Sequence, residues 1–262
     1  MRESFTSALR VQLRVTRALM LRELLTMYGR HNFGFLWLFL EPITYTVGVT
    51  ILWSIFHRGY YSAHLSIPQF AISSYSALVM WRNSASRCCL AINANKTLLY
   101  HRNVLVIDFF TARLLTEVIA STASLLVLSL IYWALGLMPA PVHYDAILVG
   151  WGLLSAWVCA WGLLLGTLTE RSDMVERLWH PIGYFMLPIS GVFYMVDWLP
   201  SPLQTLVLLN PMVHCVELVR FGYFGATHHF HYDVWYVVRC TLVLGCVALA
   251  LSRQSSRSLE PP

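Results

Sequence analysis

The sequence predicts an all-α membrane protein with an N-terminal amphipathic interfacial helix, about six transmembrane helices, and a re-entrant hairpin before the last of them. Three observations lead there. Of the 262 residues, 57% are hydrophobic and only 12% are charged, about half the charged fraction of a soluble domain, and the mean hydropathy is +0.59. Apolar runs of about 20 residues, the length that crosses roughly 30 Å of hydrocarbon, recur along the chain. The basic residues flank those runs instead of forming one patch, so the net charge of +5 reads as a topology signal and not as a nucleic-acid surface. Residues 1–262 are expected to form one membrane domain, with no internal repeat, no low-complexity segment and no room for a separate soluble domain.

Residues 1–31 place Ala8, Val11, Val15 and Leu19 on one helical stripe and Arg10, Arg14 and Arg17 on another, an amphipathic pattern. Such a helix lies in the membrane surface with its arginines toward anionic headgroups; packing on protein is the alternative. The first thirty residues hold no short apolar run followed by a small-residue cleavage site, so no removable signal peptide is expected. Spans are expected over 33–56, 67–89, 108–138, 146–168, 181–196 and 234–251. The fourth is free of charge. The fifth is short, and Asp197, Pro200 and Pro202 interrupt the chain before a further apolar run, so 199–222 is expected to be a re-entrant hairpin. Broken backbone at membrane depth is tolerated only where protein buries it or it lines a watery cavity. The last span carries Arg239, whose long side chain can snorkel toward the headgroups.

With both termini cytoplasmic, twelve basic residues (Arg2, Arg10, Arg14, Arg17, Arg22, Arg30, Lys96, Arg102, Arg171, Arg177, Arg253, Arg257) lie inside, against Arg58 and Arg220 outside. That asymmetry sets the orientation. Cys88, Cys89, Cys159, Cys215, Cys240 and Cys246 form no CxxC pair and read as small buried hydrophobes. His228, His229 and His231 lack a neighbouring Cys or carboxylate cluster at ligand spacing, so no metal site is expected.

Several chemistries are missing. A Walker A loop needs glycine backbone to cradle phosphate before its lysine, and the single lysine, Lys96, follows Asn95. Any ATP must therefore be hydrolysed by a partner. Neither an HExxH helix nor a GxSxG or GxGxxG turn is present. Asn95-Lys96-Thr97 fits a glycosylation sequon but falls on the cytoplasmic side.

Two polar segments between spans are longer than a tight turn requires: 91–106, with Asn93, Asn95, Lys96, His101 and Arg102, and 169–180, with Glu170, Arg171, Asp173, Glu176 and Arg177. Mixed charges on a short helix suit docking into a protein groove; a solvated connector is the plainer reading.

From Arg22 to Pro42 the chain reads RELLTMYGRHNFGFLWLFLEP, which resembles the signature of ABC-2 type permeases: a basic interfacial helix, Tyr-Gly, a Leu-Trp pair, and Glu-Pro entering the first span. LAINANKTLLYHRNVLVIDFFTARLLTE (90–117) and NPMVHCVELVRFG (210–222) resemble the membrane subunit of capsular-polysaccharide exporters, and the similarity runs through nearly the whole chain. The resemblance implies an ABC-2, type V exporter-like fold in the bacterial inner membrane. It implies a homodimer around a channel, two copies of a separate ABC ATPase that hold the ATP and Mg, a periplasmic adaptor of the polysaccharide co-polymerase type, an outer-membrane export channel, and a lipid-linked anionic polysaccharide as substrate. Carried over by position, Arg22, Glu23 and Tyr28 end the interfacial helix. Asn93 to Arg102 and Glu170 to Arg177 form the two ATPase-coupling segments. Asn210, Pro211, His214, Glu217 and Arg220 belong to the periplasmic re-entrant hairpin.

The sequence departs from the family pattern at Asn103 and Val106, where prolines are expected, and at Arg82, where an uncharged residue is expected. An unpaired arginine at membrane depth costs at least about 2.5 kcal/mol on insertion scales, so Arg82 should meet a partner or a cavity. Arg82 and Arg87 are candidates to line the channel and attract the polymer's anionic groups. Pairing with Glu117 or Glu41, or snorkelling of Arg87, is the structural alternative. Trp37, Tyr45, Trp53, Tyr184 and Tyr194 offer flat faces over which a sugar polymer can slide, or belong to the interfacial aromatic belt. Rival functions are an exporter of O-antigen, teichoic acid or another glycolipid, an intramembrane transferase using His214 and Glu217, and a scaffold without transport.

Overall fold

The structure is a computed structural model that describes residues 5–28, 34–56, 66–91 and 106–259. Among these residues the chain is mostly helical, without strands. The α-helices are α1 Phe5–Tyr28, α2 Gly34–Phe56, α3 Ile67–Cys89, α4 Val106–Ala134, α5 Tyr144–Arg171, α6 Asp173–Met186, α7 Ser201–Val207, α8 Pro211–Phe224 and α9 Val234–Leu259.

α4, α5 and α9 are long and apolar enough to cross a bilayer. The 29 residues of α4 span about 43 Å at 1.5 Å per residue. That exceeds the roughly 30 Å of hydrocarbon, so its first turns, with Asp108 and Arg113, can project from the apolar layer. α3 differs in character: it carries Gln69, Ser73, Ser74, Ser76 and Ser84, yet all five are buried. α2, α4, α5 and α8 pack around it, so protein shields it and it has no need of an apolar surface. Its small residues let those neighbours approach closely. α5 is the second spine, packed against α3, α8 and α9. The main core joins Ile72, Met80, Leu128, Leu154, Val158, Met212 and Val216 from four helices.

Local chemistry sets the helix ends. α4 closes at Gly136, whose φ of +67° is a conformation that side-chain-bearing residues adopt at a cost. The Leu137 N–H bonds the Tyr132 carbonyl at 2.9 Å and the Gly136 N–H that of Trp133 at 3.0 Å, a Schellman closure. The expected third span, 108–138, is thus helical over Val106–Ala134. Asn210 caps α8 by accepting the Met212 N–H at 3.1 Å, and Pro211 opens its first turn, where a missing N–H costs nothing.

The fifth expected span, 181–196, is corrected by the structure. The helix here begins at Asp173 and ends at Met186. Ser172 is its N-cap and accepts the Met174 N–H at 3.3 Å, which draws the charged residues 173–177 into the helix. Pro188 brings no N–H to continue the helical ladder, so the helix stops although Leu187 keeps helical backbone angles, and the chain turns through Gly191 to a 3-10 turn at Val196–Trp198. In the region expected as the hairpin, α7 and the helical stretch from Pro211 to Thr227 meet at a bend of 105°. α9 runs to Leu259, eight residues beyond the expected 234–251.

Candidate functional site

Three side-chain constellations cross-link the helices. The first lies at the end of the bundle where α1 packs. The Arg113 Nε sits 2.8 Å from Glu23 of α1, and its Nη1 donates to the Arg87 carbonyl. Arg87 of α3 pairs with Glu117 of α4 at 3.0 Å and Glu41 of α2 at 3.8 Å. Asn83 donates to Glu41 at 3.4 Å, Ser121 donates to Glu117 at 3.5 Å, and Gln12 donates to Asp108. Four helices therefore share one polar network, with Glu117 only 1% exposed. Buried charges persist only when paired in this way.

Arg87 thus has the carboxylate partners of the structural alternative, and Arg82 does not share them. The two arginines are five residues apart, about 140° around a helix, so they cannot line the same face. Arg82 is exposed and its guanidinium lies 5.6 Å over the ring of Tyr184 on α6, a cation–π contact. Tyr75 is seven residues before Arg82 and within about 20° of it around α3. Its ring packs against Tyr45 of α2 at 5.9 Å and edge-on against Phe193 at 5.8 Å. The open face at α3 is therefore made by Arg82 and an exposed aromatic wall of Tyr45, Phe193 and Tyr184, with Tyr75 buried beneath that wall. Trp53 lies off that face, stacked on Phe70 at 5.2 Å, and Trp198 stacks on Phe70 at 5.9 Å. The side chain of Trp37 lies outside the described residues.

The third constellation is the hairpin end. Arg220, expected on the outside in the re-entrant hairpin, is 0% exposed. Its Nη1 donates to Glu217 at 3.0 Å and to the Tyr194 carbonyl at 2.6 Å. Its Nη2 donates to Ser74 Oγ at 2.6 Å and the Val192 carbonyl at 3.1 Å, and its Nε to Ser74 Oγ at 3.2 Å. The guanidinium also sits 4.4 Å over Phe70. It ties α8, α3 and the turn after α6 together. Glu217 in turn accepts the His231 N–H at 3.4 Å. His214 accepts the Asp233 N–H on Nδ1 at 3.0 Å, and its Nε2 faces the Leu208 carbonyl at 2.8 Å. With both ring nitrogens engaged and Glu217 held by Arg220, the two residues do not form the reacting pair a transferase would need. Asn210 caps α8 and donates to the Ile189 carbonyl at 3.2 Å.

The first expected coupling segment, with Asn93, Asn95, Lys96, His101 and Arg102, lies outside the described residues. The second is not a loop: Glu170 and Arg171 end α5, Ser172 is a one-residue break, and Asp173, Glu176 and Arg177 belong to α6. Arg171 donates to Gln254 at 2.9 Å and to the Leu251 carbonyl at 3.2 Å, fastening α5 to α9. Trp179 anchors α6, donating to Ser86 Oγ at 3.2 Å and packing edge-on against Trp81 at 5.3 Å. On α1, Arg10, Arg14 and Arg17 are exposed together with Leu13, Leu21 and Leu25, while Leu19 packs inward against Phe109 and Phe110. Glu23 points inward to Arg113, Arg22 is half-buried, and the side chain of Tyr28 lies outside the described residues. Sequence reasoning passed over Arg113, Tyr75, Phe193 and Trp179, since their partners are distant in the chain. Among the described residues no cluster of His, Cys, Asp and Glu could hold a metal.

A helical bundle with bilayer-length apolar helices, charges buried in pairs and one cation on an aromatic-lined open face is a multi-pass membrane protein. The chain belongs to the ABC-2 type transporter family, whose model matches residues 14–224. It is 37% identical over 258 residues to the capsule polysaccharide export inner-membrane protein CtrC of Neisseria meningitidis serogroup B, covering 98% of this chain and 97% of that protein. It is 34% identical to the capsule polysaccharide export inner-membrane protein BexB of Haemophilus influenzae, with the same coverage. It is 29% identical to the polysialic acid transport protein KpsM of Escherichia coli, over 97% of this chain and 98% of KpsM.

Proposed function

We propose that this chain is the channel-forming permease subunit of an ATP-driven exporter that moves lipid-linked, anionic capsular polysaccharide across the bacterial inner membrane. The observation that carries this reading is the end-to-end similarity to relatives named for capsule polysaccharide export. Those names favour capsule over O-antigen or teichoic acid. In this reading both termini are cytoplasmic, and α1 lies in the cytoplasmic membrane surface with its arginines toward headgroups. α2, α3, α4, α5, the α6 segment and α9 make six crossings, and α7 with α8 forms the periplasmic re-entrant hairpin.

Two copies turn the open faces of α3 toward one another and enclose the path. Two copies of a separate ABC ATPase, which hold ATP and Mg, dock at 93–102 and 170–177. A co-polymerase-type adaptor and an outer-membrane channel continue the route. The arrangement of α6 supports this coupling: a push at Ser172 reaches α3 through Trp179 and Ser86, and a push on α1 reaches α4 through Glu23 and Arg113.

Arg82 is then the cation that the polymer's carboxylates or phosphates pass. Arg82→Gln is expected to lower export by about tenfold, the factor that one charge-assisted contact gives, with the amount of permease–ATPase complex unchanged. Surface polysaccharide and complex yield, measured on the same cells, check this. Normal export, or loss of the complex, contradicts the channel role.

A further inference from the structure

α9 holds a groove separate from the residues proposed to line the transport path. It lies where α9 meets α5 and the turn between α7 and α8, encloses about 560 Å³, and is of the size of small-ligand sites, about 300–1,000 Å³. Trp157, Leu209, Tyr236, Arg239, Val243 and Leu244 line it.

The lining is graded. Tyr236 and Arg239 lie within the first turns of α9, and the Tyr236 hydroxyl donates to the Leu209 carbonyl at 2.8 Å. Leu244 lies about 12 Å beyond Tyr236 and about 7.5 Å beyond Arg239 along the helix at 1.5 Å per residue, and Val243 and Trp157 make that end apolar. Arg239 is exposed and donates its Nε to the Trp235 carbonyl of its own helix at 3.2 Å. No carboxylate among the described residues pairs with it. A cation without a protein anion, in the second turn of a helix otherwise apolar enough to span, can snorkel to the headgroups and meets its complement in the bilayer itself.

We propose that this groove is a binding site for an anionic phospholipid of the surrounding leaflet, with its phosphate on Arg239 and the upper part of one acyl chain against Val243, Leu244 and Trp157. Bound there, the lipid bridges α9 to the turn between α7 and α8. The site rests on α9 lying in the bilayer and not on what the exporter carries.

The test uses the full chain, purified from cells that make no capsular polymer and examined by native mass spectrometry after titration with phosphatidylglycerol or phosphatidylcholine. The expected result is one retained phosphatidylglycerol per chain and weaker retention of phosphatidylcholine. Arg239→Gln should lower phosphatidylglycerol binding by about tenfold, as loss of one charge-assisted contact does. Leu244→Trp, which fills the apolar end without touching the charge, should lower it as well, and Arg253→Gln, at the other end of α9, should not. Equal binding by the wild type and Arg239→Gln, or equal binding of the two lipids, overturns the proposal. So does a lipid found only on protein from polymer-making cells, since that lipid is the polymer's own end.

Discussion

Arg220→Met is expected to prevent the protein from accumulating in folded form. The substitution removes the guanidinium that bonds Glu217, Ser74 and the carbonyls of Val192 and Tyr194, and it leaves the Glu217 carboxylate fully buried without a counter-charge. Breaking a buried pair from one side costs about 3–5 kcal/mol, a large part of a total stability of about 5–15 kcal/mol. Replacing both partners, Glu217→Leu with Arg220→Met, should recover much of the loss, because removing a whole buried pair is often close to neutral. Thermal unfolding of detergent-solubilised protein, read by the monodisperse fraction in size-exclusion chromatography, separates the cases. The single variant should be lost and the double variant should be detectably folded. A single variant as stable as wild type would show that the pair carries no such weight.

The second large effect is at Gly222, where α8 crosses the start of α5. A Cβ there would meet Ile147 Cγ1 at 2.4 Å, the His143 carbonyl oxygen at 2.8 Å and the Ile147 nitrogen at 3.0 Å. Two of these atoms are backbone, so no rotamer change relieves the contact. The Gly222 carbonyl also accepts the N–H groups of Val142 at 3.0 Å and His143 at 2.9 Å, and parting the helices would break those bonds too. Overpacking costs about 1–3 kcal/mol where side chains can shift, and Gly222→Val should exceed that range. Gly152, with nothing within 4 Å of its Cβ position, is the control on the same helix pair. Gly152→Ala should be neutral or stabilising by up to about 1 kcal/mol, since alanine favours the helix. Comparable losses at both positions would mean that glycine content and not close approach governs this interface.

What could be read from the sequence follows the range of the interactions. The apolar runs of α4, α5 and α9 announce themselves because lipid contact demands apolar residues over a continuous stretch. The end of α6 was misplaced because apolarity continues from Pro181 to Val196 while the backbone obeys Ser172 and Pro188, and cap and breaker geometry is a weaker signal than hydropathy. The serines of α3 look like a poor span in isolation and make sense only once four neighbours surround it.

Among the candidate residues, Arg87 and Arg82 read alike in the sequence, as arginines near the end of one span. The difference between them is the 140° of helix rotation that turns Arg87 to Glu117 and Glu41 and leaves Arg82 on the open face. Arg220 counts in the sequence as an outside basic residue of the hairpin, and nothing near it in the chain marks it as buried. Its partners Ser74, Val192 and Tyr194 stand 26 to 146 residues away, and no local pattern reports such pairings.

As a transport subunit driven by a separate ATPase, this chain should hold that ATPase in a stable complex. The most direct measurement is to co-express it with the ATPase of a capsule exporter from the same cells, extract the membranes in mild detergent, and determine subunit ratio and ATP turnover. A stable complex of two permease and two ATPase chains that hydrolyses ATP is the expected result. A permease that stays folded and purifies alone, with no ATPase bound, would contradict it.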